Sequence, residues 1–477
     1  MTTSSDYARH EHHEFLAAAD AALADVSLQS ALANLGGTLG QRNRDAFAAL
    51  PESDLLRQRA RAIKDATLGE LDRHLETLEA SVLKRGGEVH FADDGPAACQ
   101  IILDIIRSRG ARRVVKSKSM TSEEIHLNQA LQQSDVEVVE TDFGEFIIQV
   151  AGHRPSHLVA PALHLRVGEV ATILSGDAGE SLEPDAGKLA AYARRRLRGN
   201  FAAAEVGITG ANFAVAETGT IVIVENEGNA RLTTSLPRIH IAVMGIEKVI
   251  PRLADLPVFL KILARAATGQ KMSVYTSLIT GPRRAGELDG PEEFHLVLLD
   301  NGRSRILSGP LRESLFCIRC GACLNACPIH RNIGGHAYGG VYAGPIGAVL
   351  TPLYDGLAAN HHLPHASSLC GACQAACPVN IAIPEMLVQL REQLHHEPGQ
   401  LGLLESLAYR LWAHVMRSPR LYRASTWLAT RTIGRLRRKS GWIGRLPGGL
   451  HGWTASRDFP APATQRFRDW WRKEGHE

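Results

Sequence analysis

Seven of the eight cysteines lie between Cys317 and Cys377, in two runs that both end in Cys-Pro. The first run holds Cys317, Cys320, Cys323 and Cys327, and the second holds Cys370, Cys373 and Cys377. In bacterial ferredoxins this spacing lets three close thiolates bind one [4Fe-4S] cluster while the fourth reaches across to another. The runs therefore predict two iron-sulfur clusters and electron transfer, with Cys317, Cys320, Cys323 and Cys377 on cluster 1, and Cys327, Cys370 and Cys373 on cluster 2.

Two other uses of these thiols fit less well. A structural zinc site takes two ligand pairs around one ion, whereas the first run crowds four sulfurs into eleven residues. Disulfides need an exported protein, and the first residues show no basic stretch followed by an apolar core. We therefore expect reduced, metal-bound thiols in the cytoplasm.

The second run lacks one ligand, because Ser367 occupies the position that matches Cys317. One iron of cluster 2 is then left without a thiolate. It could bind the Ser367 oxygen, an imidazole of His361, His362 or His365, water or substrate, or it could be absent from a [3Fe-4S] cluster. The sequence leaves these alternatives open.

Before the cysteines, short β-branched runs alternate with helical patterns. Strands are predicted at 88–91, 113–116, 136–139, 214–216, 219–224 and 240–244, and helices at 52–84, 97–108 and 122–133. A βαβαβ order favours a parallel sheet covered by helices, so we predict one α/β domain. The cysteine region is rich in Gly and Pro, which favours short turns, and a helix is predicted at 381–397.

Polar residues cluster in three segments of the α/β domain, 116–120, 140–145 and 217–231. Ligands of open parallel sheets bind beyond the carboxyl ends of the strands, where we expect the first and third segments. Lys116 and Lys118 could bind an anion, and Glu225 or Glu227 could act as a base. Turn residues and solvated charges have the same composition, so a purely structural role is the competing interpretation.

The C-terminal region differs from the rest in charge. Residues 401–477 hold 15 Lys and Arg, 5 Asp and Glu, and all six tryptophans. Leu404, Ala408, Leu411, Trp412 and Val415 have the spacing of one apolar helical face. A basic amphipathic segment predicts a protein partner or a membrane surface. We do not expect nucleic acid as a partner, because no known nucleic-acid motif accompanies the charge, and we expect no membrane span.

Together these segments resemble the lactate utilization protein B family over nearly the whole chain. The resemblance rests on KSKSM at 116–120, ETDFGEFIIQ at 140–149, PSHLVAPALH at 155–164, AETG at 216–219, NEGN at 226–229, CIRCGAC at 317–323 and SSLCGAC at 367–373. It implies the iron-sulfur subunit of a three-protein system that oxidises L-lactate to pyruvate without NAD, beside a cysteine-rich subunit and a second α/β subunit. It also implies a phosphosugar-isomerase or CoA-transferase type of sheet, and the family likewise has serine at position 367.

The expected organisation is a helical segment at 1–60, an α/β lactate-utilization domain at 61–300, an α-helical, ferredoxin-like dicluster domain at 301–396 and a helical basic region at 397–477. Two functional hypotheses remain. The protein could relay electrons through its clusters, or its α/β pocket could itself oxidise lactate and use the clusters as the electron exit. In the second case Arg231 or Lys116 would bind the carboxylate, and Glu225 or Glu227 would be the base.

Overall fold

The computed structural model describes residues 12–396, 403–436, 441–455, 457–463 and 465–474. The chain forms two compact units, one ending at Leu394 and the other beginning at His395. The first unit contains the α/β region together with all the cysteines, so the described parts of the segments predicted at 1–60, 61–300 and 301–396 share one unit up to Leu394. Their shared core explains this, because cysteines of the cluster region pack in the same apolar cluster as strand residues.

Four helices precede the first strand: α1 (His12–Ala24), α2 (Val26–Ala48), α3 (Ser53–Gly69) and α4 (Leu71–Lys84). The single helix predicted at 52–84 is wrong. The chain breaks at Glu70, whose backbone leaves the helical region (φ −129°, ψ 39°). The break follows Gly69, a weak helix former, and allows Leu68 and Leu71 on either side to be buried.

Ten strands follow: β1 (Glu88–Ala92), β2 (Arg113–Lys116), β3 (Glu137–Glu140), β4 (Val206–Gly210), β5 (Phe213–Val215), β6 (Thr220–Glu225), β7 (Ile239–Gly245), β8 (Val249–Ile250), β9 (Tyr275–Ile279) and β10 (Glu293–Leu299). Six of them form a sheet in the order β1-β10-β7-β4-β2-β3, in which every neighbouring pair is parallel. The predicted parallel sheet is therefore confirmed, and its central strands β4 and β7 are almost wholly buried.

The remaining strands build a second sheet, in the order β8-β5-β6-β9. β5 and β6 form an antiparallel hairpin, and Gly219 supplies the left-handed backbone (φ 69°) of its turn. The expectation that segment 217–231 follows a strand of the parallel sheet is therefore wrong. A short turn can join only antiparallel neighbours, whereas a parallel pair needs a long crossover connection.

Eight helices surround the sheets: α5 (Gly95–Ser108), α6 (Met120–Glu124), α7 (Leu127–Gln132), α8 (Phe143–Ala151), α9 (Val167–Ala178), α10 (Ala186–Ala203), α11 (Asn229–Ser235) and α12 (Leu256–Thr268). The helix predicted at 122–133 is two helices, because His126 has a left-handed backbone (φ 53°) that ends α6 before α7 starts. Ile125 and Leu127, on either side, are both buried in the sheet core.

The cysteine region, as far as it is described, contains helices and turns but no strand. Its helices are α13 (Arg303–Leu307), α14 (Ala322–Ala326), α15 (His330–Ile333), α16 (Gly344–Asp355), α17 (Ala372–Ala376) and α18 (Ile383–His396). Short 3-10 turns in the first unit are Ile246–Lys248, Leu253–Asp255, Arg312–Phe316, His336–Tyr338 and Leu363–His365. The helix predicted at 381–397 is present as α18, and position 397 lies outside the described residues.

The second unit contains α19 (Leu403–Arg417), α20 (Pro419–Thr432), α21 (Phe467–Lys473), the 3-10 turns Ile433–Leu436 and Gly448–Thr454, and the two-residue strands β11 (Trp442–Ile443) and β12 (Phe459–Pro460). Leu411 and Trp412 on the predicted apolar face are 63% and 59% exposed, while the side chain of Leu404 lies outside the described part. Within the described ranges no single helix has the length and apolar character to cross a membrane, although the bent pair Glu14–Ala24 and Val26–Ala48 passes that test when combined.

Gly335 marks a close contact between the cysteine region and the α/β region. A Cβ atom added there would lie 1.8 Å from the Ser156 carbonyl oxygen. Because the contact is between the backbone at Gly335 and the backbone at Ser156, neither segment can move aside easily. Gly335→Ala should therefore lower the free energy of unfolding by about 1–3 kcal/mol. Urea denaturation followed by circular dichroism measures this loss. Gly176→Ala in α9, where nothing lies within 4 Å, is the matched control and should be neutral or slightly stabilising.

Candidate functional site

Four cysteine side chains line one small cavity of the first unit, and they come from both runs. Cys317 and Cys320 lie on the loop that leads into α14, Cys323 lies in the first turn of α14, and Cys377 lies at the end of α17. Apolar residues complete the wall, among them Leu158 and Ile346. The four sulfurs are thus placed together in the combination that the crossed spacing predicts for cluster 1.

The chemistry of this donor set fits a cationic iron-sulfur core. Burial raises the pKa of the Cys320 thiol, and neighbouring Cys377 and Cys317 raise it further. Burial also raises the pKa of Cys377, to about 12. Such thiols lose their protons only when a positive metal stabilises the thiolates. Backbone N–H groups of Arg319 and Ile381 also donate to Cys317 Sγ and Cys377 Sγ, each at 3.4 Å.

The three remaining cysteines of the two runs form a second group nearer the surface. Cys327 and Cys373 are buried and Cys370 is exposed. Burial raises the pKa of Cys373 to about 11, and nearby Cys327 and Cys370 contribute to the rise. In contrast, the Ala372 N–H and the Ser368 hydroxyl lower the pKa of Cys370. These three sulfurs could hold the second cluster.

Ser367 has the same place in the second loop that Cys317 has in the first. Its Oγ accepts the N–H of Leu369 at 3.1 Å, as Cys317 Sγ accepts the N–H of Arg319. Leu369 and Arg319 both have left-handed backbones, with φ of 53° and 58°. The matching geometry agrees with the register taken from the Cys-Pro ends. Of the nearby histidines, His361 pairs through Nδ1 with the Ala358 carbonyl, His362 packs on the Phe15 ring and His365 is exposed.

A cavity of about 280 Å³ lies between the parallel sheet, the second sheet and the cysteine loop. Its charged lining residues are Lys118, Asp142, Glu225, Glu227, Lys248 and Arg319, and Cys320 also lines it. Cys320 therefore faces both this cavity and the small cavity of the four cysteines. A molecule bound in the larger cavity would lie beside Cys320.

Two cationic groups of this cavity carry unused hydrogen-bond donors. Lys118 Nζ and Arg319 Nη1 are buried, and neither has a hydrogen-bond partner in the described part of the chain. Burial lowers the pKa of Lys118, and it lowers that of Lys248 to about 8, although Lys248 Nζ donates to the Ala211 carbonyl at 3.0 Å. Buried donors of this kind are costly unless an acceptor binds them. The cavity is therefore suited to a small anion.

Two carboxylates of the same cavity have raised affinity for protons. Burial raises the pKa of Glu227 to about 7, and the neighbouring Asp142 contributes to that rise. Burial also raises the pKa of Glu225, although its oxygens accept the N–H groups of Ala230 and Arg231 at 2.8 Å. A carboxyl that titrates near pH 7 can act as a general base.

Two of the predicted anion-binding residues do not line this cavity. Lys116 is fully buried between Glu140 at 2.7 Å and Glu123 at 3.2 Å, so its charge is already compensated. Arg231 lies on the surface, with its guanidinium 6.0 Å from the centre of the Tyr275 ring. The cations that do line the cavity include Lys118, which was predicted together with Lys116, and Arg319, which was not predicted. Lys118, two residues beyond Lys116, lies past the end of β2 and reaches the cavity.

Comparisons with known proteins agree with this architecture. The model of the LUD domain matches residues 75–299, that of the 4Fe-4S dicluster domain matches 313–381, and that of the lactate utilisation protein B C-terminal region matches 389–476. Lactate utilization protein B of Shouchella clausii is 47% identical over 420 residues, covering 87% of this chain and 88% of the relative. That of Anoxybacillus flavithermus is 42% identical over 465 residues, covering 97% and 98%.

The chain belongs to the lactate utilization protein B family. The crystal structure of a DUF162 family protein from Deinococcus radiodurans is 15% identical to this chain. The match covers 48% of this chain and 98% of that protein, with a TM-score of only 0.26. The match to the 4Fe-4S dicluster domain supports iron-sulfur clusters as the cofactors of the paired cysteine runs.

In this family member, one buried carboxylate ties the cysteine loop to the α/β region. Glu247, which follows β7, accepts from Arg303 Nε at 2.6 Å and lies 3.3 Å from Arg319 Nη2. Burial alone would raise the pKa of Glu247, but the two guanidinium groups lower it to about 2. Arg303 also makes a bidentate pair with Glu124 at 2.8 Å. The network thus holds Arg319, which lies between Cys317 and Cys320 in the cysteine loop, in a fixed position.

Sequence reasoning missed Arg319 and Glu247 as site residues. Arg319 had a recognisable signal, since it is the only charged residue inside the Cys317–Cys323 loop. Glu247 had none, because an isolated acidic residue after a strand resembles any solvated turn residue. Only the packing of the two regions shows that it is buried.

Glu247→Gln should lower the free energy of unfolding by about 3–5 kcal/mol at pH 7, because it leaves the buried Arg303 and Arg319 without their shared countercharge. The carboxylate with its lowered pKa stabilises the fold fully above pH 4.5, its unfolded value, and loses that effect as the pH falls towards 2. The difference between wild type and variant should therefore shrink below pH 4.5. Urea denaturation at several pH values measures it.

Glu183→Gln is the control for this charge effect. Glu183 pairs with Lys188 at the surface, with both side chains more than 60% exposed, and such pairs contribute at most about 1 kcal/mol. Equal stability losses in the two variants would contradict the central role of Glu247.

Proposed function

We propose that this protein is the iron-sulfur electron-transfer subunit of a system that oxidises L-lactate to pyruvate in the cytoplasm. The names of its relatives and the dicluster match support the lactate and iron-sulfur parts of this proposal. Its partners would be a cysteine-rich subunit and a second α/β subunit. The observation that carries the proposal is the position of Cys320, which faces both the cysteine cavity and the larger anion cavity.

In this proposal Cys317, Cys320, Cys323 and Cys377 hold cluster 1, and Cys327, Cys370 and Cys373 hold cluster 2. When bound, each cluster would accept and release one electron at a time. The two groups lie next to each other, since Cys373 contributes to the raised pKa of Cys323. Cluster 1 is enclosed by buried residues, whereas Cys370 brings cluster 2 to the surface. This order suits a path from the cavity, through cluster 1 and cluster 2, to a partner protein.

The protein itself tunes these sites through its backbone. The N–H groups of Arg319 and Ile381 donate to Cys317 and Cys377, which would stabilise the thiolates and raise the reduction potential of a cluster held there. The guanidinium of Arg319, held by Glu247, adds positive charge beside the same loop. These donors and this charge would favour the reduced, more negative form of cluster 1, whereas burial by itself would disfavour it.

The anion cavity supports a second candidate function, in which this subunit also binds the substrate. A 2-hydroxy acid has a carboxylate that Lys118 Nζ and Arg319 Nη1 could bind, and a hydroxyl proton that Glu227 could accept. The carboxylate would then lie beside Cys320. This candidate replaces Lys116 and Arg231 by Lys118 and Arg319, and it keeps Glu227 and Glu225 as the acidic residues.

The C-terminal unit supports the proposed partners. Leu407, Leu411 and Trp412 on α19 and Trp427 and Leu428 on α20 are all more than 40% exposed. Exposed apolar residues on basic helices suit docking to another protein, with the membrane surface as the alternative partner.

Electron entry distinguishes the two candidates. The cluster-loaded protein is mixed anaerobically with L-lactate, and cluster reduction is followed by EPR. A relay should be reduced only when the partner subunits are present, whereas a substrate site in the cavity would permit reduction without them. Failure of reduction even with all the partners present would contradict the proposed function.

Lys118→Met should weaken binding of the unreactive lactate analogue oxamate at least tenfold if the cavity is the substrate site, since a charge-assisted hydrogen bond to a carboxylate is lost. Isothermal titration calorimetry on the cluster-loaded protein measures the affinity. Lys188→Met, which removes a surface lysine, should bind oxamate as the wild type does. Equal affinity in Lys118→Met would remove Lys118 from the site.

Ser367→Cys should supply the missing thiolate of cluster 2 and lower its reduction potential, because another anionic sulfur raises the electron density at iron. Iron content should stay the same or rise. If cluster 2 is only a relay, activity should persist or fall modestly, and if its unique iron exchanges ligands, activity should collapse. Anaerobic EPR with potentiometric titration measures the change.

Ser367→Ala tests the serine oxygen itself as the ligand. The cluster should become labile if that oxygen binds iron, and unchanged EPR spectra in both Ser367 variants would place Ser367 away from cluster 2.

A further inference from the structure

A third group of ligand-type side chains lies outside the cysteine sites and the anion cavity. Glu88 and His90 lie on β1, and His295 lies on the neighbouring β10. The parallel register pairs Glu88 with His295, and alternate residues of a strand point to the same face of a sheet. The sheet register therefore brings two imidazoles and one carboxylate together on one face.

The three ligand atoms are spaced as around a metal ion. His90 Nε2 lies 3.2 Å from His295 Nδ1, and Glu88 Oε2 lies 3.9 Å from His90 Nε2 and 3.6 Å from His295 Nδ1. A tetrahedral ion with ligand bonds of 2.0–2.2 Å places its ligand atoms about 3.4 Å apart. In the described residues this is the only group of three such side chains whose ligand atoms lie within 4.8 Å of one another.

The surroundings of His295 match those of a metal-binding histidine. Its other nitrogen, Nε2, lies 3.4 Å from Glu293 Oε2, and Glu293 is held by Arg109 Nε at 2.8 and 3.0 Å. A histidine that binds a metal commonly donates its second N–H to a carboxylate, which fixes the tautomer. With the proton on Nε2, Nδ1 carries a lone pair that faces the Glu88 carboxylate. A cation at this position would bind that lone pair, the Glu88 carboxylate and His90 Nε2 together.

We propose that Glu88, His90 and His295 bind a divalent transition-metal ion of the Zn²⁺ class. Two imidazoles and a carboxylate suit this class, and water would complete the coordination. His295 is 3% exposed and Glu88 59% exposed, so the ion would enter from the Glu88 side. Because β1 is an edge strand of the parallel sheet, the ion would join that edge to β10.

The competing interpretation is a hydrogen bond between two neutral imidazoles, which needs no ion. The chain offers a matched control for it, since His153 Nδ1 and His164 Nε2 also lie 3.2 Å apart. That pair belongs to no three-ligand group in the described part of the chain. Zinc binding that depends on Glu88 and His90 but not on His153 would separate the two interpretations.

The experiment uses tag-free, cluster-loaded protein incubated anaerobically with one equivalent of Zn²⁺ and then desalted. Elemental analysis should find one zinc per chain, and zinc K-edge X-ray absorption should show nitrogen and oxygen ligands at about 2.0–2.1 Å without sulfur. The zinc edge is separate from that of iron, so the clusters do not interfere. Zinc should also raise the thermal midpoint of unfolding, because it binds the folded state.

Glu88→Gln and His90→Ala should each weaken zinc binding at least tenfold and abolish the zinc-dependent rise in thermal midpoint. Glu88 is exposed enough that its substitution should leave the fold intact, which keeps the test valid if His90→Ala folds poorly. His153→Ala should retain one zinc. Sulfur ligands at the zinc edge, full zinc retention in Glu88→Gln, or no zinc in the wild type would each overturn the proposal.

Discussion

The buried ion pairs of Glu247 are the constraint on which the candidate site depends. This carboxylate lies between Arg303 and Arg319, and its backbone carbonyl accepts from Lys64 of α3. A charge buried this deeply is tolerated only when it is fully paired, so the α/β region, an N-terminal helix and the cysteine loop must fold together. This explains why the chain up to Leu394 forms one compact unit despite its varied composition.

Arg319 connects that constraint to the chemistry. One of its nitrogens contacts Glu247, another is an unused donor beside the anion cavity, and its backbone N–H donates to Cys317. The residue is thus shared between the fold, the cavity and the cysteine loop. Arg319 therefore connects the anion cavity with the cysteine loop by direct contacts, as the proposed function requires.

Charge compensation decides which polar residues remain available for ligands. Lys116 and Lys118 have similar sequence surroundings, yet Lys116 is paired with Glu140 and Glu123 while Lys118 Nζ has no hydrogen-bond partner in the described residues. Charge compensation also distinguishes the carboxylates of the anion cavity from Glu247. Glu227 has a raised pKa because burial and Asp142 act against its charge, whereas Glu247 has a lowered pKa because two guanidinium groups favour it.

The sequence by itself determined the elements whose signals are local. The two cysteine runs predicted iron-sulfur clusters, and β-branched runs predicted four strands of the parallel sheet, because ligand spacing within a run and strand periodicity act over a few residues. Tertiary structure alone decided the hairpin sheet, the compensation of Lys116 and the recruitment of Arg319 and Glu247. Glu247, for example, pairs with arginines that lie 56 and 72 residues further along the chain, and charge pairing across such separations leaves no local sequence pattern.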